Sequence, residues 1–480
     1  GALAGGSGTF AWMWVRGREV RGPYACPLMW LVLAGLVLGQ SACDAGTSPD
    51  ATSGSIRRPR PPSVILISID TLRADRLSCY GYFRDTSPNL DEFSAEALVF
   101  DRAFAPIATT LPSHVSLLTG VNPGRHGVLG NLANFKRSVD SGTGLLTAPQ
   151  MLSRQGYYTA AFVSARPVGS HTGIAVGFEL FDEPTERQRR AEETTERVIA
   201  WLESAPPEPL LLWVHYFDPH YPYAPPSPYD RRYTTDAELR AYLRANHFHQ
   251  PDHPQVRSWS NHYDGEVRYL DDQLGRLLGR LRETELYETS AIVIVSDHGE
   301  GLAQHRWLSH GRLYNEQLHV PLMIRFPESM GISPAHLSLP ASIIDILPTL
   351  DARLDLPFTA LDREQFEGID LLDPDPERDY VWSERAVREA DWEPGRKFAL
   401  TGRRWKFFHL TDQEDQLYDL ESDELEQRNV IEEYPEVAAE LRRRLLGQLR
   451  RYETRPTGLE VEPTVSPQVR EQLLNLGYVD

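Results

Sequence analysis

The amino-acid sequence predicts an α/β fold, with a mostly parallel central sheet covered by helices on both faces and a smaller antiparallel appendage. Three largely apolar runs, at 64–69, 210–214 and 291–295, have the pattern of strands that are buried on both faces. Helical patterns with apolar residues at i, i+3 and i+4 occupy 188–202 and 263–281 between them. Strands that alternate with helices in this way favour a parallel sheet.

Composition supports a folded, acidic protein. The 480 residues suit one large domain with an appendage, and 41% hydrophobic residues are enough for a core. The formal net charge of −19 argues against a nucleic-acid partner. Only Cys79 of the three cysteines lies in the predicted fold, so no disulfide can form within the domain.

Residues 1–43 have the layout of an export signal. Three arginines precede a short apolar run at 29–38, and small residues then lead to Cys43. This ending resembles a bacterial lipobox with Cys43 as the acylated residue, although Gln40 replaces the usual leucine. We expect export to the periplasm or cell envelope and membrane association through the N-terminus. Acylation of Cys43, simple cleavage and a retained anchor all stay open.

Changes in composition divide the rest of the chain into four parts. A Ser-, Thr-, Gly- and Pro-rich linker at 44–62 precedes a predicted catalytic domain at 63–375. A C-terminal subdomain at 376–455 and a tail at 456–480 follow a Pro- and Asp-rich boundary.

The later part of the chain carries its own strand and helix patterns. We predict a helix over 341–350, strand-like runs at 379–382 and 398–409, and a long charged helix over 435–452. The end of the tail, 465–480, is predicted to dock as a short helix.

Acidic and histidine side chains follow all three buried strands. Asp70 follows the first, Asp218 and His220 follow the second, and Asp297 with His298 follow the third. Since open α/β sheets bind ligands beyond the carboxyl ends of their strands, these side chains are expected at one edge of the sheet.

The segment at 109–120 is predicted to form the mouth of an active site. Thr110 is placed to cap a helix, Pro112 suits its first turn and Gly120 suits its end. Such a helix start offers free N–H groups to a tetrahedral oxyanion such as phosphate or sulfate. Thr110 would touch that anion.

Four residues are predicted to hold one divalent cation: Asp70, Thr110, Asp297 and His298. A cation in contact with the Thr110 hydroxyl would lower its pKa and make it a nucleophile. The nitrogen ligand favours manganese or zinc and leaves calcium open.

Two more histidines are candidates for the leaving group. His220 or His310 could protonate the leaving oxygen or hold a non-bridging oxygen of the substrate. A second metal held by Asp218, His220 and His310 stays open as an alternative.

The remaining candidates concern charge and orientation. His114 could orient the nucleophile or the anion, or could pack the helix, and Arg312 could supply a fixed positive charge. Arg73 and Arg166 could also meet substrate charge, but a solvated surface position is the preferred prediction for each.

Together these motifs resemble the sulfatase family of the alkaline phosphatase superfamily. The resemblance implies an αβα sandwich and an ester-cleaving activity. It is carried by Ile-Asp-Thr-Leu-Arg-Ala-Asp at 69–75, Pro-Ser-His-Val-Ser-Leu-Leu-Thr-Gly at 112–120, Asp-Pro-His-Tyr-Pro-Tyr at 218–223, Ser-Asp-His-Gly-Glu at 296–300 and His-Gly-Arg at 310–312.

The chain departs from the family pattern at the reacting residues. Thr110 stands where formylglycine-dependent sulfatases have Cys or Ser, and His114 stands where they have Arg. Arg312 replaces a lysine, and Thr71 replaces a second metal-binding Asp. We therefore expect no formylglycine, because threonine is not a recognised substrate for that conversion.

The resemblance and its departures predict a metal-dependent hydrolase or transferase that uses Thr110 and prefers phosphate to sulfate esters. A threonyl ester must be cleaved at its central atom, and displacement at phosphorus by threonine has precedent in the superfamily. Two alternatives stay open: a sulfuric ester hydrolase that works without formylglycine, and an inactive surface binding protein.

Overall fold

The computed structural model describes most of the predicted catalytic domain and subdomain. The described residues are 61–133, 135, 144–375, 378–385, 396–411 and 413–453. The predicted export segment with Cys43, nearly all of the linker and the tail helix lie outside the described residues. Within the described ranges, no helix has the length and apolar character that a membrane crossing requires.

The chain forms fifteen described strands and twelve described α-helices. The strands are β1 (Ser63–Ile69), β2 (Leu98–Phe100), β3 (Ala103–Phe104), β4 (Tyr158–Val163), β5 (Leu180–Asp182), β6 (Leu210–Tyr216), β7 (Ser290–Ser296), β8 (His319–Val320), β9 (Leu322–Arg325), β10 (Ala335–Leu337), β11 (Ala341–Ser342), β12 (Tyr380–Arg385), β13 (Lys397–Gly402), β14 (Trp405–Leu410) and β15 (Gln416–Asp419). The helices are α1 (Pro88–Ser94), α2 (Thr110–Thr119), α3 (Pro123–His126), α4 (Ala148–Ser153), α5 (Ala191–Leu202), α6 (Ala237–Ala245), α7 (Pro254–Glu283), α8 (Leu286–Thr289), α9 (Asn315–Leu318), α10 (Ile346–Leu354), α11 (Ala360–Glu364) and α12 (Pro435–Glu453).

A sheet of eight strands forms the centre of the molecule, in the order β10-β2-β9-β7-β1-β6-β4-β5. β1 pairs in parallel with both β6 and β7, and β6 continues in parallel to β4 and β5. β9 runs against its neighbours β2 and β7. The predicted α/β class with a mostly parallel sheet is therefore confirmed.

Helices cover both faces of this sheet. Val64 and Leu66 of β1 enter one hydrophobic cluster, which includes Leu117 of α2. Ile65 enters a second cluster, which includes Leu274 of α7. Successive strand residues point to opposite faces, so the two clusters lie on the two faces of the sheet. Each cluster packs the sheet against one helical layer, which gives an αβα sandwich.

A separate sheet of four antiparallel strands, β12-β13-β14-β15, forms the predicted appendage. Ala399 and Phe408 on one face join the main hydrophobic cluster. Phe407 on the other face packs with Leu441 and Leu445 of α12. The small sheet thus connects the layers of the αβα sandwich to the C-terminal helix.

Two predicted elements differ from the structure. The run at 398–409 is two strands, because β13 and β14 are neighbours in an antiparallel hairpin. The helix predicted over 341–350 starts at Ile346, after β11 and a short 3-10 turn. The turn is stabilised by a reciprocal cap, in which the Ser342 amide donates to Asp345 Oδ2 at 2.7 Å.

Candidate active site

Three adjacent strands end at one edge of the sheet, where the predicted site lies. The register pairs Ile69 with Tyr216 on one side and with Ser296 on the other. The pairing continues past the strands, because Asp70 donates its N–H to Tyr216 O at 2.9 Å and Asp297 donates its N–H to Ile69 O at 3.2 Å. The ends of β1, β6 and β7 therefore deliver their side chains to one place.

Asp70, Asp297 and His298 form a buried group at this edge. One potential ligand atom from each residue lies within 4.8 Å of the others. His298 Nε2 is 3.4 Å from Asp297 Oδ2 and 3.9 Å from Asp70 Oδ1. In the part of the chain that the structure describes, this is the one such group of three acidic, histidine or cysteine residues. Two carboxylates and an imidazole nitrogen suit a divalent cation of the manganese or zinc type.

The hydrogen bonds of Asp297 fit a bound cation. Its Oδ1 accepts the amides of Thr71 at 3.1 Å and His298 at 2.7 Å. Its buried Oδ2 accepts no hydrogen bond from any described residue. Burial raises the pKa of Asp297 well above its usual value, against the lowering effect of the two amides. An ionised carboxylate is costly at such a place unless a positive charge meets it, so the residues fit a divalent metal.

His298 is oriented to offer a nitrogen lone pair. Its Nδ1 lies 2.9 Å from the carbonyl oxygen of Gly299. A carbonyl only accepts, so Nδ1 carries the hydrogen and Nε2 is the basic atom of the neutral ring. Nε2 faces the two carboxylates and lies 3.4 Å from Thr110 Oγ1. Such a hydrogen bond on the far ring nitrogen is usual for a histidine that binds a metal.

Helix α2 brings Thr110 to this group. The helix begins at Thr110 itself, while Thr109 is extended, with φ −153° and ψ 129°, and its side chain makes no cap. The prediction that Thr110 caps the helix is therefore wrong, because its hydroxyl turns towards His298. Gly120 ends the helix with a positive φ of 69°, as predicted.

The start of α2 offers few N–H groups to a substrate. The Leu111 amide donates to the side chain of Asn131 at 2.8 Å, and the next residue, a proline, has no N–H. The Ser113 amide donates to Thr109 O at 3.1 Å. At most the amide of Thr110 is left, so the predicted set of free helix N–H groups is wrong. Charge on a bound ester must then be met mainly by side chains and a cation.

His114 fastens the first turn of α2 to the sheet. Its Nδ1–H donates to Thr110 O at 2.8 Å, and its Nε2 accepts the Ser68 hydroxyl at 2.9 Å. Trp213 Nε1–H donates to the same Ser68 oxygen at 2.9 Å. Burial lowers the pKa of His114 to about 4, so the ring is neutral at pH 7. Of its predicted roles, these contacts favour orientation of Thr110.

His220 and His310 line the same side of the site. The rings of His310 and His298 are 4.4 Å apart, and the rings of His220 and His310 are 5.5 Å apart. His310 Nδ1 lies 3.1 Å from Ala108 O, and His220 Nδ1 lies 2.6 Å from Tyr221 O. Both residues therefore donate from Nδ1 and present Nε2 as the basic nitrogen. Burial lowers the pKa of His220 to about 4.

Asp218 has a different environment from the other strand-end carboxylates. Its Oδ2 accepts the Ala191 amide at 2.8 Å. Burial raises the pKa of Asp218, and burial with the adjacent Asp218 charge raises the pKa of Glu266 to about 9. Asp218, His220 and His310 do not come together as a second three-ligand group within the described ranges. The two-metal alternative gains no support.

The arginines occupy other places. Arg312 donates to His305 O at 3.1 Å, and its guanidinium lies 4.3 Å from the centre of the Trp307 ring. Its role as a positive charge for the substrate stays a prediction. Arg73 is buried and pairs with Asp75 at 2.6 Å, so the predicted surface position of Arg73 is wrong. Arg166 is half-buried at the start of a short 3-10 helix.

Three supporting residues had no predicted role. Asn131 holds the start of α2, and Ser68 joins His114 to the sheet. His215 accepts the Ser164 amide at Nδ1, at 3.3 Å, and its Nε2 lies 3.8 Å from Asp70 Oδ2. Two of them could have been found in the sequence as polar residues inside buried strands. Ser68 and His215 interrupt otherwise apolar runs, and they are register partners in β1 and β6.

The fold and the site define a class of protein. An αβα sandwich with a buried acid and histidine group beside a hydroxyl, at the carboxyl edge of its sheet, is the arrangement of the alkaline phosphatase superfamily. Within it, the Sulfatase family profile matches residues 62–355, which is more than half of the chain. The chain belongs to the sulfatase family and is a sulfatase-family hydrolase.

Individual relatives agree with this membership. An arylsulfatase of Clostridium perfringens is 23% identical, over 81% of this chain and 94% of its own length. Iduronate 2-sulfatase of Homo sapiens is 27% identical, over 68% of each chain. Among solved structures, the phosphonate monoester hydrolase of Agrobacterium radiobacter has a TM-score of 0.67 at 21% identity, over 82% of this chain and 96% of its own. At that identity the structural likeness shows the fold alone.

Proposed function

We propose that this hydrolase is a metal-dependent esterase or transferase that uses Thr110 as its nucleophile and prefers phosphate esters to sulfate esters. The observation that carries the proposal is the position of Thr110 Oγ1, 3.4 Å from His298 Nε2 at the edge of the buried ligand group. Asp70, Asp297, His298 and the Thr110 hydroxyl would hold the cation. When bound, it would lower the pKa of that hydroxyl and neutralise charge on the ester oxygens.

The protein's own residues order the reacting groups. His114 holds the Thr110 carbonyl, so the backbone of the first turn of α2 that carries the hydroxyl stays in place beside the proposed ligand group. The Thr110 oxygen attacks the phosphorus atom, and the bond from phosphorus to the leaving oxygen breaks. His310 is the ring next to His298, so we assign its basic Nε2 the task of taking the proton that the Thr110 hydroxyl loses and passing it to the leaving oxygen.

The second step removes the group from Thr110. The burial of His220 keeps its ring neutral at pH 7, with Nε2 as a proton acceptor. It is therefore suited to take a proton from the water, or from the acceptor alcohol, that attacks the phosphoryl-threonine. Attack at phosphorus then breaks the bond from phosphorus to Thr110 Oγ1, the proton held by His220 returns to that oxygen, and the product leaves. Threonine, unlike a hydrated aldehyde, has no other route to expel the bound group.

The names of the relatives favour a second candidate, a sulfuric ester hydrolase. An arylsulfatase and iduronate 2-sulfatase are similar along most of this chain. Under this candidate the same residues act at sulfur, and Thr110 still replaces formylglycine.

The test is turnover of matched aryl phosphate, aryl phosphodiester and aryl sulfate esters with added Mn²⁺, Zn²⁺ or Ca²⁺. Wild type is compared with Thr110→Ala and Thr110→Ser. We expect a preference for a phosphorus ester, a loss of about 10³-fold or more in Thr110→Ala, and partial activity in Thr110→Ser.

Each alternative has its own outcome. Full activity of Thr110→Ala would remove Thr110 from the mechanism. A preference for the aryl sulfate would establish the second candidate. A folded wild type that binds metal but cleaves none of the esters would favour the inactive binding protein.

Export to the periplasm or envelope, with an ester substrate there, is proposed from the N-terminal sequence alone. Fractionation of cells that express the full chain, followed by mass analysis of Cys43, would test it.

A further inference from the structure

A basic cavity lies between two loops near the active site. It has a volume of about 500 Å³ and is lined by Arg244 at the end of α6, by residues 247–251 of the following loop, by residues 305–306 and by Gln427. The lining contains two arginines, three histidines and two glutamines, and no acidic residue. The whole chain, in contrast, carries a net charge of −19. The cavity therefore concentrates positive and hydrogen-bonding groups on an acidic protein.

A hairpin joins this cavity to the catalytic residues. Amide-to-carbonyl bonds connect Gly301 to Ser309 at 2.9 Å, Leu302 to Leu308 at 3.0 Å and Ala303 to Trp307 at 2.8 Å. The base of the hairpin continues into His310, and its tip carries the residues that line the cavity. Four residues of chain span no more than roughly 13 Å even when fully extended, so Arg306 at the tip lies within that distance of His310.

The second loop is attached directly to the hairpin. The His249 amide donates to Ala303 O at 2.8 Å. Gln304 Nε2 donates to Asn246 O at 2.8 Å. The two loops therefore form one unit, and the walls of the cavity are held in place relative to the catalytic edge.

Backbone strain is concentrated around the cavity. The described residues include ten non-glycine positions with positive φ, and six of them lie on these two loops. They are His247, Gln250, Leu302, Ala303, His305 and Arg306, with φ between 44° and 78°. Such conformations cost free energy and persist where the surrounding structure holds them, often at binding sites.

The charges of the lining are arranged to face a ligand. Arg306 is exposed and has no carboxylate partner among the described residues, whereas Arg244 pairs with Asp252 at 2.7 Å. His305 stacks on Tyr314 with ring centres 3.8 Å apart. Burial lowers the pKa of His305, but its hydrogen bond to Glu316 together with the charges of Glu316 and Glu426 outweighs burial and raises the pKa overall. Arg306 is thus the cation available to a bound group.

The chemistry of the lining selects the ligand. The guanidinium groups would repel a metal ion, and the described residues of the cavity form no three-ligand group. Guanidinium and amide N–H groups instead suit a carboxylate or sulfate. We propose that the cavity is a subsite for a second anionic group, carried by the ester within roughly 15 Å of its reacting centre. The preferred substrate is then an extended polyanionic ester.

This inference rests on the proposed ester-cleaving site, and its test compares paired esters. Each aryl ester that wild type cleaves carries a tail of about 8 to 16 Å that ends in a carboxylate, a sulfonate or a neutral amide. The variants are Arg306→Gln and Arg306→Lys, with Arg231→Gln as the matched control. The Arg231 side chain is 87% exposed and lies outside the cavity.

We expect wild type to prefer an anionic tail by about tenfold in kcat/KM at the best length, the effect of one charge-assisted contact. The ratio of kcat/KM for the anionic-tailed ester to kcat/KM for the neutral-tailed ester should fall to about one in Arg306→Gln. The ratio should stay well above one in Arg306→Lys and should equal the wild-type ratio in Arg231→Gln. Added salt should lower it. A ratio near one in wild type, or a ratio unchanged in Arg306→Gln, would overturn the proposal.

Direct binding separates this inference from the proposed function. Calorimetry with the carboxylate-tailed phenol, the product of the cleaved ester, requires no turnover. If no ester is cleaved but the phenol binds wild type and not Arg306→Gln, the proposed function fails and the subsite stands. If esters are cleaved and the charged and neutral phenols bind equally, the subsite fails alone.

Discussion

At the scale of single residues, the site depends on side chains that never touch the substrate. Ser68 accepts from Trp213 and donates to His114, which in turn holds the Thr110 carbonyl. Each of these groups is buried, so a missing partner leaves a polar atom without water to replace it. The position of Thr110, the proposed nucleophile, therefore depends on one chain of hydrogen bonds from β6 through β1 to α2.

Replacing Ser68 by Ala tests this chain. The change leaves His114 Nε2 and the Trp213 indole without their shared partner, so we expect unfolding in urea to become easier by about 2 kcal/mol. We also expect kcat to fall while KM changes little, because Thr110 loses its orientation. The exposed Ser204→Ala serves as the control. An unchanged kcat with a weakened fold would reduce Ser68 to a packing role.

A buried histidine outside the active site makes stability depend on pH. His126 accepts the Val128 amide at Nδ1, at 3.1 Å, and its Nε2 meets Ser116 Oγ at 3.0 Å. Burial lowers its pKa to about 3, so the folded protein keeps it neutral while the unfolded chain protonates near pH 6.5. This contribution to stability is complete above pH 6.5 and is lost as the pH falls towards 3.

The matching prediction compares wild type with His126→Gln across pH. At pH 7 we expect the variant to be less stable by about 1–2 kcal/mol, from its lost hydrogen bonds. Below pH 6.5 this difference in stability should shrink by up to about 1.4 kcal/mol per pH unit, so that by about pH 4 the variant is the more stable protein, because only wild type must exclude a proton. Urea midpoints at pH 7, 6, 5 and 4 measure this. A gap that widens in acid would contradict the assignment.

At the scale of elements, α2 connects the site to the rest of the domain. Its first turn carries Thr110, and its final residues lead to Gly120, whose positive φ lets the chain turn away. A Cβ added to Gly120 would meet Phe366 Cδ1 at 2.8 Å. The end of the helix is thus defined by backbone conformation and by contact with a distant aromatic ring.

Replacing Gly120 by Ala separates the two effects when it is paired with Gly156→Ala. Gly156 also has a positive φ, of 88°, but nothing lies within 4 Å of its added Cβ. We expect Gly156→Ala to cost about 1 kcal/mol from strain alone, and Gly120→Ala to cost about 2–4 kcal/mol because crowding adds to strain. Equal losses in thermal or urea unfolding would show that Phe366 moves freely.

At the scale of the whole molecule, the ligand group joins elements from distant parts of the sequence. Asp70 follows β1, whereas Asp297 and His298 follow β7, and α2 packs above both. A cation bound there links these elements in the folded state alone, because the unfolded chain has no such site. Metal binding should therefore contribute directly to stability.

Adding Mn²⁺ or Zn²⁺ to chelator-treated protein tests this link. A concentration of about 100 times Kd adds roughly 2.7 kcal/mol, so we expect a clear and concentration-dependent rise in Tm. Asp297→Asn keeps an acceptor for the amides of Thr71 and His298 but removes the charge, and its Tm should not respond. If wild type and Asp297→Asn gain equally from metal, the cation binds elsewhere.

The small C-terminal sheet also supports the hairpin at 301–309. Lys406 of β14 forms a buried ion pair with Glu426 at 2.6 Å, and Glu426 also accepts the amide of Asn315. His305, at the tip of the hairpin, lies 3.3 Å from Glu426 O. The hairpin that reaches from the catalytic edge to the basic cavity is therefore supported from behind by the C-terminal region.

By itself, the sequence determined the α/β class and the residues of the candidate metal site at the sheet edge. Buried parallel strands are recognisable in the sequence as apolar runs, and the carboxyl ends of parallel neighbours lie at the same edge of the sheet. This local pattern is enough to place Asp70 beside Asp297 and His298. The family motifs add Thr110 to the same place, because they relate residues far apart in the chain.

Only the tertiary structure decided which contacts the residues around this group make. Asn131 takes the Leu111 amide, and Arg73 is buried against Asp75. The cavity forms where loop 246–251 meets the tip of the hairpin at 302–306. None of these contacts has a periodic or local signature in the sequence. Each depends on which irregular segments the packed layers bring together, and that is settled by long-range packing.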